Sequence, residues 1–231
     1  EDPELLPAYL KKAGFQIDQT TATLHDGFIN NWDDVYSSTS YASLSNSYKL
    51  PGDYRIIDFN GDGQIDQDDS APYGYPLRPQ NTYNFELGFN YKGFSAYVQF
   101  YGVYNVTRNV YLTPWSDEGT YSLAYDMFSD YYTAENTDAS FRGGRFGSRD
   151  QSYNGTFFLF DGSYLRLKTA EISYQFTGPW LKSFGLSSAR LYLNGNNLWF
   201  WSDMPDDRES NTSRVTYPTY KRVNLGVNLN F

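Results

Sequence analysis

Arg222-Val223-Asn224-Leu225-Gly226-Val227-Asn228-Leu229-Asn230-Phe231 is the stretch from which the fold can be read. Val223, Leu225, Val227, Leu229 and Phe231 alternate without a break with Arg222, Asn224, Gly226, Asn228 and Asn230. A period of two sends the two sets to opposite faces of one extended strand. One wholly apolar face and one polar face suit a wall between lipid and a polar lumen, with the aromatic end at the membrane rim. The competing reading is an edge strand of a soluble sandwich.

Upstream the same pattern returns. Tyr83, Phe85, Leu87, Phe89 and Tyr91 oppose Asn84, Glu86, Gly88, Asn90 and Lys92, and after Lys92-Gly93 a second strand runs from Phe94 to about Val106. Two alternating runs across a two-residue glycine turn predict a tight hairpin, each arm about as long as a membrane-spanning strand. Ser163 to Phe176 and Ala189 to Phe200 read as two more strands. In the first, Ala170, Ile172, Tyr174 and Phe176 share a face while Leu165 and Leu167 have the opposite parity, which predicts a bulge or a change of environment midway. A small hairpin through Asp161-Gly162, pairing Phe157–Phe160 with Tyr164–Leu167, is a local alternative. Phe15 to Ile29 reads as extended, and a short helix is expected around Leu5–Lys12.

The connections then alternate in length: long (30–81), short (92–93), long (107–162), short (177–188), long (201–218). Outer-membrane barrels have short periplasmic turns and longer extracellular loops in that order. About six spanning strands cannot close a barrel around a lumen, and an open sheet edge is not viable in lipid. The expected fold is therefore all-β: the C-terminal strands of a large antiparallel transmembrane β-barrel with long extracellular loops, residues 1–231 forming its C-terminal segment and the rest of the wall coming from elsewhere.

Composition agrees. The chain has 23 Tyr, 17 Phe and 5 Trp among 231 residues, yet no run approaches the roughly 20 apolar residues of a helical span. With 18 basic and 27 acidic residues the net charge is −9, and no basic stripe is present, so nucleic acid is excluded as a partner class. Cysteine is absent and His25 is the single histidine, which removes thiolate and multi-histidine metal sites and leaves no catalytic triad with a supporting motif. His25 reads as structural, and the chain as a non-enzyme.

Inside the first long connection stands Asp58-Phe59-Asn60-Gly61-Asp62-Gly63-Gln64-Ile65-Asp66-Gln67-Asp68-Asp69. Its spacing is that of a twelve-residue calcium loop: side-chain oxygens from Asp58, Asn60 and Asp62, the carbonyl of Gln64, Asp66 directly or through water, and Asp69 closing the shell. Gly63 permits the sharp turn. Asp69 replaces the usual bidentate Glu, as in calcium loops of the dockerin type. Ser70-Ala71-Pro72 follows, which cannot begin the helix an EF-hand needs. A structural calcium ion stapling a surface loop is expected, not a sensor. An Asp/Asn/Gly-rich turn that merely shares the spacing is the alternative.

Several blocks resemble one family. The run from Pro51-Gly52-Asp53 through Asp58-Phe59-Asn60-Gly61-Asp62-Gly63-Gln64-Ile65-Asp66 is similar to a segment of SusC/RagA-type TonB-dependent transporters. So, in the same order, are Tyr83 to Phe94, Asp161 to Lys168, Leu191 to Leu198 and Leu225 to Phe231. The resemblance implies a barrel of about 22 strands with a plugged lumen, in the outer membrane of a Bacteroidetes-type Gram-negative bacterium. It implies TonB-dependent import of oligosaccharides or peptides, a SusD-like surface lipoprotein as lid, and a plug and TonB-contacting part upstream of this chain. Under that reading the polar strand faces line the lumen, and Trp115, Trp201, Arg208 and Arg214 in the long loops are candidate cargo contacts. The Trp residues could equally anchor the membrane interface. The alternative function is a secreted dockerin-like or carbohydrate-binding β-sandwich module.

Overall fold

The computed structural model describes residues 11, 13–42, 49–109, 129–143, 155–204 and 219–231. In chain order come β1 (Thr21–Thr23), β2 (His25–Phe28), α1 (Trp32–Ser37), β3 (Ser40–Tyr41), β4 (Tyr54–Ile56), β5 (Gln64–Ile65) and β6 (Ser70–Pro72). Then follow β7 (Asn81–Tyr91), β8 (Phe94–Tyr104), β9 (Thr107–Asn109), β10 (Leu159–Asp161), β11 (Tyr164–Phe176), α2 (Pro179–Lys182), β12 (Ser188–Ser202) and β13 (Arg222–Asn230). They divide between two compact units.

One unit is built on a single antiparallel sheet, ordered β13-β12-β11-β8-β7. Every expected long strand is present in it except the stretch Phe15 to Ile29. The hairpin β7–β8 turns on Lys92 (φ 47°) and Gly93 (φ 87°), both left-handed, as a two-residue type I′ connection requires. The register carries the sequence alternation across the sheet. Leu87 faces Val98, Val98 faces Ala170, Ala170 faces Gly195, and Gly195 faces Val223. One face is thus apolar in all five strands and open: Phe85 is 53% exposed and Leu225 73%. A sandwich would bury that face under a second sheet; among the described residues it stays exposed instead.

The parity change in β11 is a bulge. Leu167 pairs with Phe100, but the next paired residue, Thr169, meets Gln99, so Lys168 is an extra residue against β8. On the other side Leu167 pairs with Trp199 and Thr169 with Asn196, so β12 carries one further residue there, beside Asn197 at φ 53°. The step lets Leu165 and Leu167 join the apolar face although their parity differs from that of Ile172. It also turns Tyr164 and Arg166 to the polar face, where Val103, Val106, Tyr164 and Met204 form a small core with Tyr101 and Phe200 against it. Beyond the bulge the polar face therefore carries an aromatic cluster beside Arg166.

The other unit holds the short strands: β1 pairs with β6, β2 with β4, β3 with β5 and β10 with β9. Phe15 to Ile29 therefore contributes no spanning strand. Its Thr and Phe residues instead pair in the short strands β1 with β6 and β2 with β4, for want of a strict two-residue period. The local hairpin through Asp161-Gly162 does not form either, because β10 takes β9 as its partner. Helix α1 interrupts the stretch read as continuous loop; the Asn31 side chain caps it by accepting from the Asp34 amide at 2.8 Å. The short helix expected at Leu5–Lys12 lies, apart from Lys11, outside the described residues.

The core of this unit is aromatic. Tyr54 stacks on Phe157 at 3.9 Å and lies near Phe28 at 5.1 Å, and Phe28 meets Tyr132 at 5.1 Å. The Tyr132 ring sits where a Cβ on Gly52 would come within 2.8 Å, and Gly52 has φ 96°, so the position admits only glycine.

Candidate functional site: a polar wall face and a stapled loop

On the polar face of the sheet, side chains reach across strands. Asn84 and Gln99 both donate to Glu86 (2.8 and 2.9 Å). Arg190 donates to Glu171, with which it is ion-paired, and to the Ser173 hydroxyl at 3.0 Å. Asn194 donates to the same Glu171 (3.4 Å) and accepts from Asn224 (2.9 Å), so one ladder links β11, β12 and β13. Above it Asn196 donates to Thr169 at 3.4 Å. Arg166, only 2% exposed, lies over the Phe200 ring at 4.4 Å.

The apolar face bears no charged side chain in these strands and ends in aromatic rings on both sides. Tyr91, Phe89, Phe94, Tyr174 and Phe176 gather toward the short connections, the last two 4.8 Å apart. Tyr83, Tyr104, Trp199 and Trp201 gather toward the long ones. This is the belt pattern of a membrane-spanning wall. Trp201, expected in a loop, is part of β12, opposite Leu165 on the apolar face and 6.0 Å from Trp199. That position is a membrane-belt position, because β12 runs on through Ser202 before the connection begins. Trp115, Arg208 and Arg214 lie outside the described residues.

The loop 58–69 is organised by its own carboxylates. Asp58 accepts the amide hydrogens of Gly61 (2.7 Å), Asp62 (3.2 Å) and Gly63 (2.8 Å). Asn60 accepts from Asp62, and Asp62 from Gln64. Gly61 and Gly63 both take left-handed φ, the freedom these turns require. Asp69 is wholly buried, and its two oxygens accept from Phe59 (2.8 Å), Asn60 (3.3 Å) and Asp66 (2.8 Å). Ile65, 1% exposed, anchors the loop by pairing with Tyr41 in parallel. The turns at positions one, three and five fit a calcium loop. Asp69, at position twelve, clamps the backbone through both oxygens, as Asp58 does at position one. Among the described residues, no three His, Cys, Asp or Glu side chains form a group arranged to hold a metal.

His25, Lys49 and Asp130 are among the titratable groups of this unit that their surroundings perturb. Burial lowers the His25 pKa, Asp26 opposing it; the ring lies 4.9 Å from Tyr54 and its Nδ1 is buried without a partner. Burial also lowers that of Lys49, against Asp53; its ammonium donates to the Ser38 hydroxyl and the Thr39 carbonyl and faces the Tyr41 ring. Asp130 is held below the usual range by hydrogen bonds from Ser140 and Asn136.

A single antiparallel sheet, apolar and belted on one face and hydrogen-bonded on the other, with long connections at one end, defines a class: the wall of a membrane-spanning β-barrel. No family model matches the chain. It is 30% identical over 203 residues to TonB-dependent receptor P26 of Formosa agariphila, which covers 79% of this chain and 20% of that protein. To TonB-dependent receptor P3 of the same bacterium it is 28% identical over 200 residues, 78% of this chain and 19% of that one. Among solved structures it superposes on the RagAB peptide importer in the open-open state, with a TM-score of 0.62 at 18% identity over 92% of this chain and 22% of that chain. The RagAB peptide transporter gives a TM-score of 0.63, also at 18% identity, over 92% and 22%. The chain belongs to the TonB-dependent receptors, and it spans about a fifth of the length of the curated relatives it matches.

Proposed function

We propose that this wall segment serves an outer-membrane, TonB-dependent importer of oligosaccharides or peptides, working with a SusD-like surface lipoprotein. The observation that carries the reading is the uncharged, belted face of the sheet in a chain related to TonB-dependent receptors. A barrel of this kind moves cargo and does no covalent chemistry, so binding by the polar face, not catalysis, is its contribution. The long connections 30–81, 107–162 and 201–218 face the cell exterior and meet the lipoprotein. The remainder of the barrel, its plug and the TonB contact come from other parts of the protein. The RagAB neighbours, named as a peptide importer, favour peptides as the first cargo to test.

Calcium belongs to the same reading. Asp58, Asn60, Asp62, the Gln64 carbonyl and Asp66 would hold the ion, and Asp69 would close the shell while bracing the loop through its amide contacts. The ion would add rigidity to an exterior loop, where high ambient calcium permits weak affinity. Terbium luminescence sensitised by Phe and Tyr, competed by calcium and lost in Asp58→Asn/Asp62→Asn, is the test; no sensitised emission refutes the site.

The import reading is tested by uptake of labelled oligopeptides and oligosaccharides in cells with and without the receptor, and with TonB disabled. Uptake that requires both supports it; uptake indifferent to TonB overturns it.

A further inference from the structure

The bulge opens a recess of about 520 Å³ on the polar face, between the step in β11–β12 and the start of β13. Lys168, Thr169, Asn196, Asn197 and Arg222 line it. This is the size of sites that hold small ligands, roughly 300–1,000 Å³. Its shape is fixed by the backbone: Asn197 is left-handed, and its amide donates to the Tyr220 carbonyl at 3.2 Å, tying β12 to the segment that leads into β13.

Two cations border this recess, and neither forms an ion pair among the described residues. The Lys168 ammonium lies 5.0 Å from the Tyr101 ring, and Arg222 stands opposite Asn196. The other cations of the polar face are engaged: Arg190 by Glu171, Arg166 by Phe200. Across the five strands that face carries four cations (Arg166, Lys168, Arg190, Arg222) against two carboxylates (Glu86, Glu171), in a chain whose net charge is −9. A local positive surplus in an acidic chain, concentrated beside amide and hydroxyl donors, is a complementary surface for an oxyanion.

We propose that this recess is an anion subsite, in which Lys168 and Arg222 take a carboxylate of the cargo while Asn196 and Asn197 contribute amide donors. The inference rests on the import reading and adds a specificity to it. The carboxylate can come from an acidic peptide or from a uronic-acid oligosaccharide; the chemistry at the recess is the same.

The test uses the full-length receptor in nanodiscs, titrated by calorimetry with paired probes: a glutamate-containing pentapeptide and its glutamine counterpart, and trigalacturonate and neutral galactotriose. Variants are Lys168→Gln/Arg222→Gln and the charge-conserving Lys168→Arg/Arg222→Lys. The subsite predicts that one acidic probe binds at least tenfold tighter than its neutral partner, and which one identifies the source of the carboxylate. The glutamine pair should lose that preference, by roughly 10- to 100-fold for two charge-assisted contacts. The charge-conserving pair should retain it, and the neutral probes should not respond to either. Preference should also fall as salt rises. An acidic preference unchanged in the glutamine pair, or absent from the unmodified receptor while the neutral probes still bind, overturns the subsite and leaves the importer standing. Failure of all four probes to bind, together with TonB-independent uptake, overturns both.

Discussion

The most direct test of the wall is to place one charge on each face of the same strand. Leu87 stands midway in β7, four residues from Tyr83 and four from Tyr91, on the apolar face. At a rise of about 3.3 Å per residue and a tilt of about 40°, those aromatic belts lie roughly 10 Å above and below it along the membrane normal. Leu87 therefore sits near the bilayer midplane. Arg there costs about 2–4 kcal/mol in a transmembrane barrel, a cost that vanishes toward the interfaces. Gly88 is its neighbour on the polar face, where a Cβ meets nothing within 4 Å. Leu87→Arg should thus lower stability by about 2–4 kcal/mol while Gly88→Arg changes it by less than about 1 kcal/mol. The measurement is guanidinium unfolding of the full-length receptor in phosphatidylcholine vesicles, followed by tryptophan emission and by heat-modifiable migration. Equal losses for the two variants, or a larger one for Gly88→Arg, would refute the assignment of faces and the membrane wall with it.

Asp69→Ala leaves three amide hydrogens without an acceptor at a buried position and should cost on the order of 3 kcal/mol locally; limited proteolysis should cut between residues 58 and 69 in the variant only. Gly102→Val should destabilise the sheet by about 1–3 kcal/mol, since a Cβ there would stand 2.3 Å from the Tyr83 ring and 2.6 Å from the Tyr164 carbonyl; a neutral result in the same unfolding assay would count against that packing. His25 gives a pH dependence of definite sign. Its folded pKa lies below the ordinary 6.5, so the unfolded chain binds the proton more readily, and stability present above pH 6.5 is lost as pH falls through the folded value. Hydrogen exchange around β2 and β4 should quicken on acidification and lose that response in His25→Phe. Breaking the exposed pair Arg55–Asp26 by Asp26→Asn should change stability by less than about 1 kcal/mol.

Much of the wall was legible because a strand between lipid and water writes its two environments at alternate positions. Val223 to Phe231 and Tyr83 to Tyr91 show this directly, and even the bulge was signalled by the parity of Leu165 and Leu167. The loop unit was less legible. Its strands are two to four residues long, too short for a period to appear, and they pair with partners far along the chain, as Thr21 does with Pro72. Trp201 was misplaced because a tryptophan at a strand end and one in a loop look alike until the neighbouring ladder is known. The calcium loop illustrates a different limit. Spacing shows which oxygens can converge, but not that Asp58 and Asp69 also brace the loop by accepting its own amide hydrogens. The recess beside Lys168 and Arg222 had one trace in sequence, the parity break, and nothing there to say that two distant cations would meet across it.

The step at Lys168 also sets what kinds of change this wall can absorb. Loss of Lys168 itself, the extra residue against β8, would leave the faces unchanged, but removing a single residue from the regular ladder of β11 beyond it would turn the Leu165–Leu167 end by half a turn. Leu165 and Leu167 would then point into the lumen, and Arg166 would be forced toward the acyl chains. Away from the step, insertions and deletions in such a strand can be inherited only in pairs or with a compensating shift next door. Variation in cargo preference is therefore expected to accumulate by replacement in the strands, and changes of length to be confined to the connections between them.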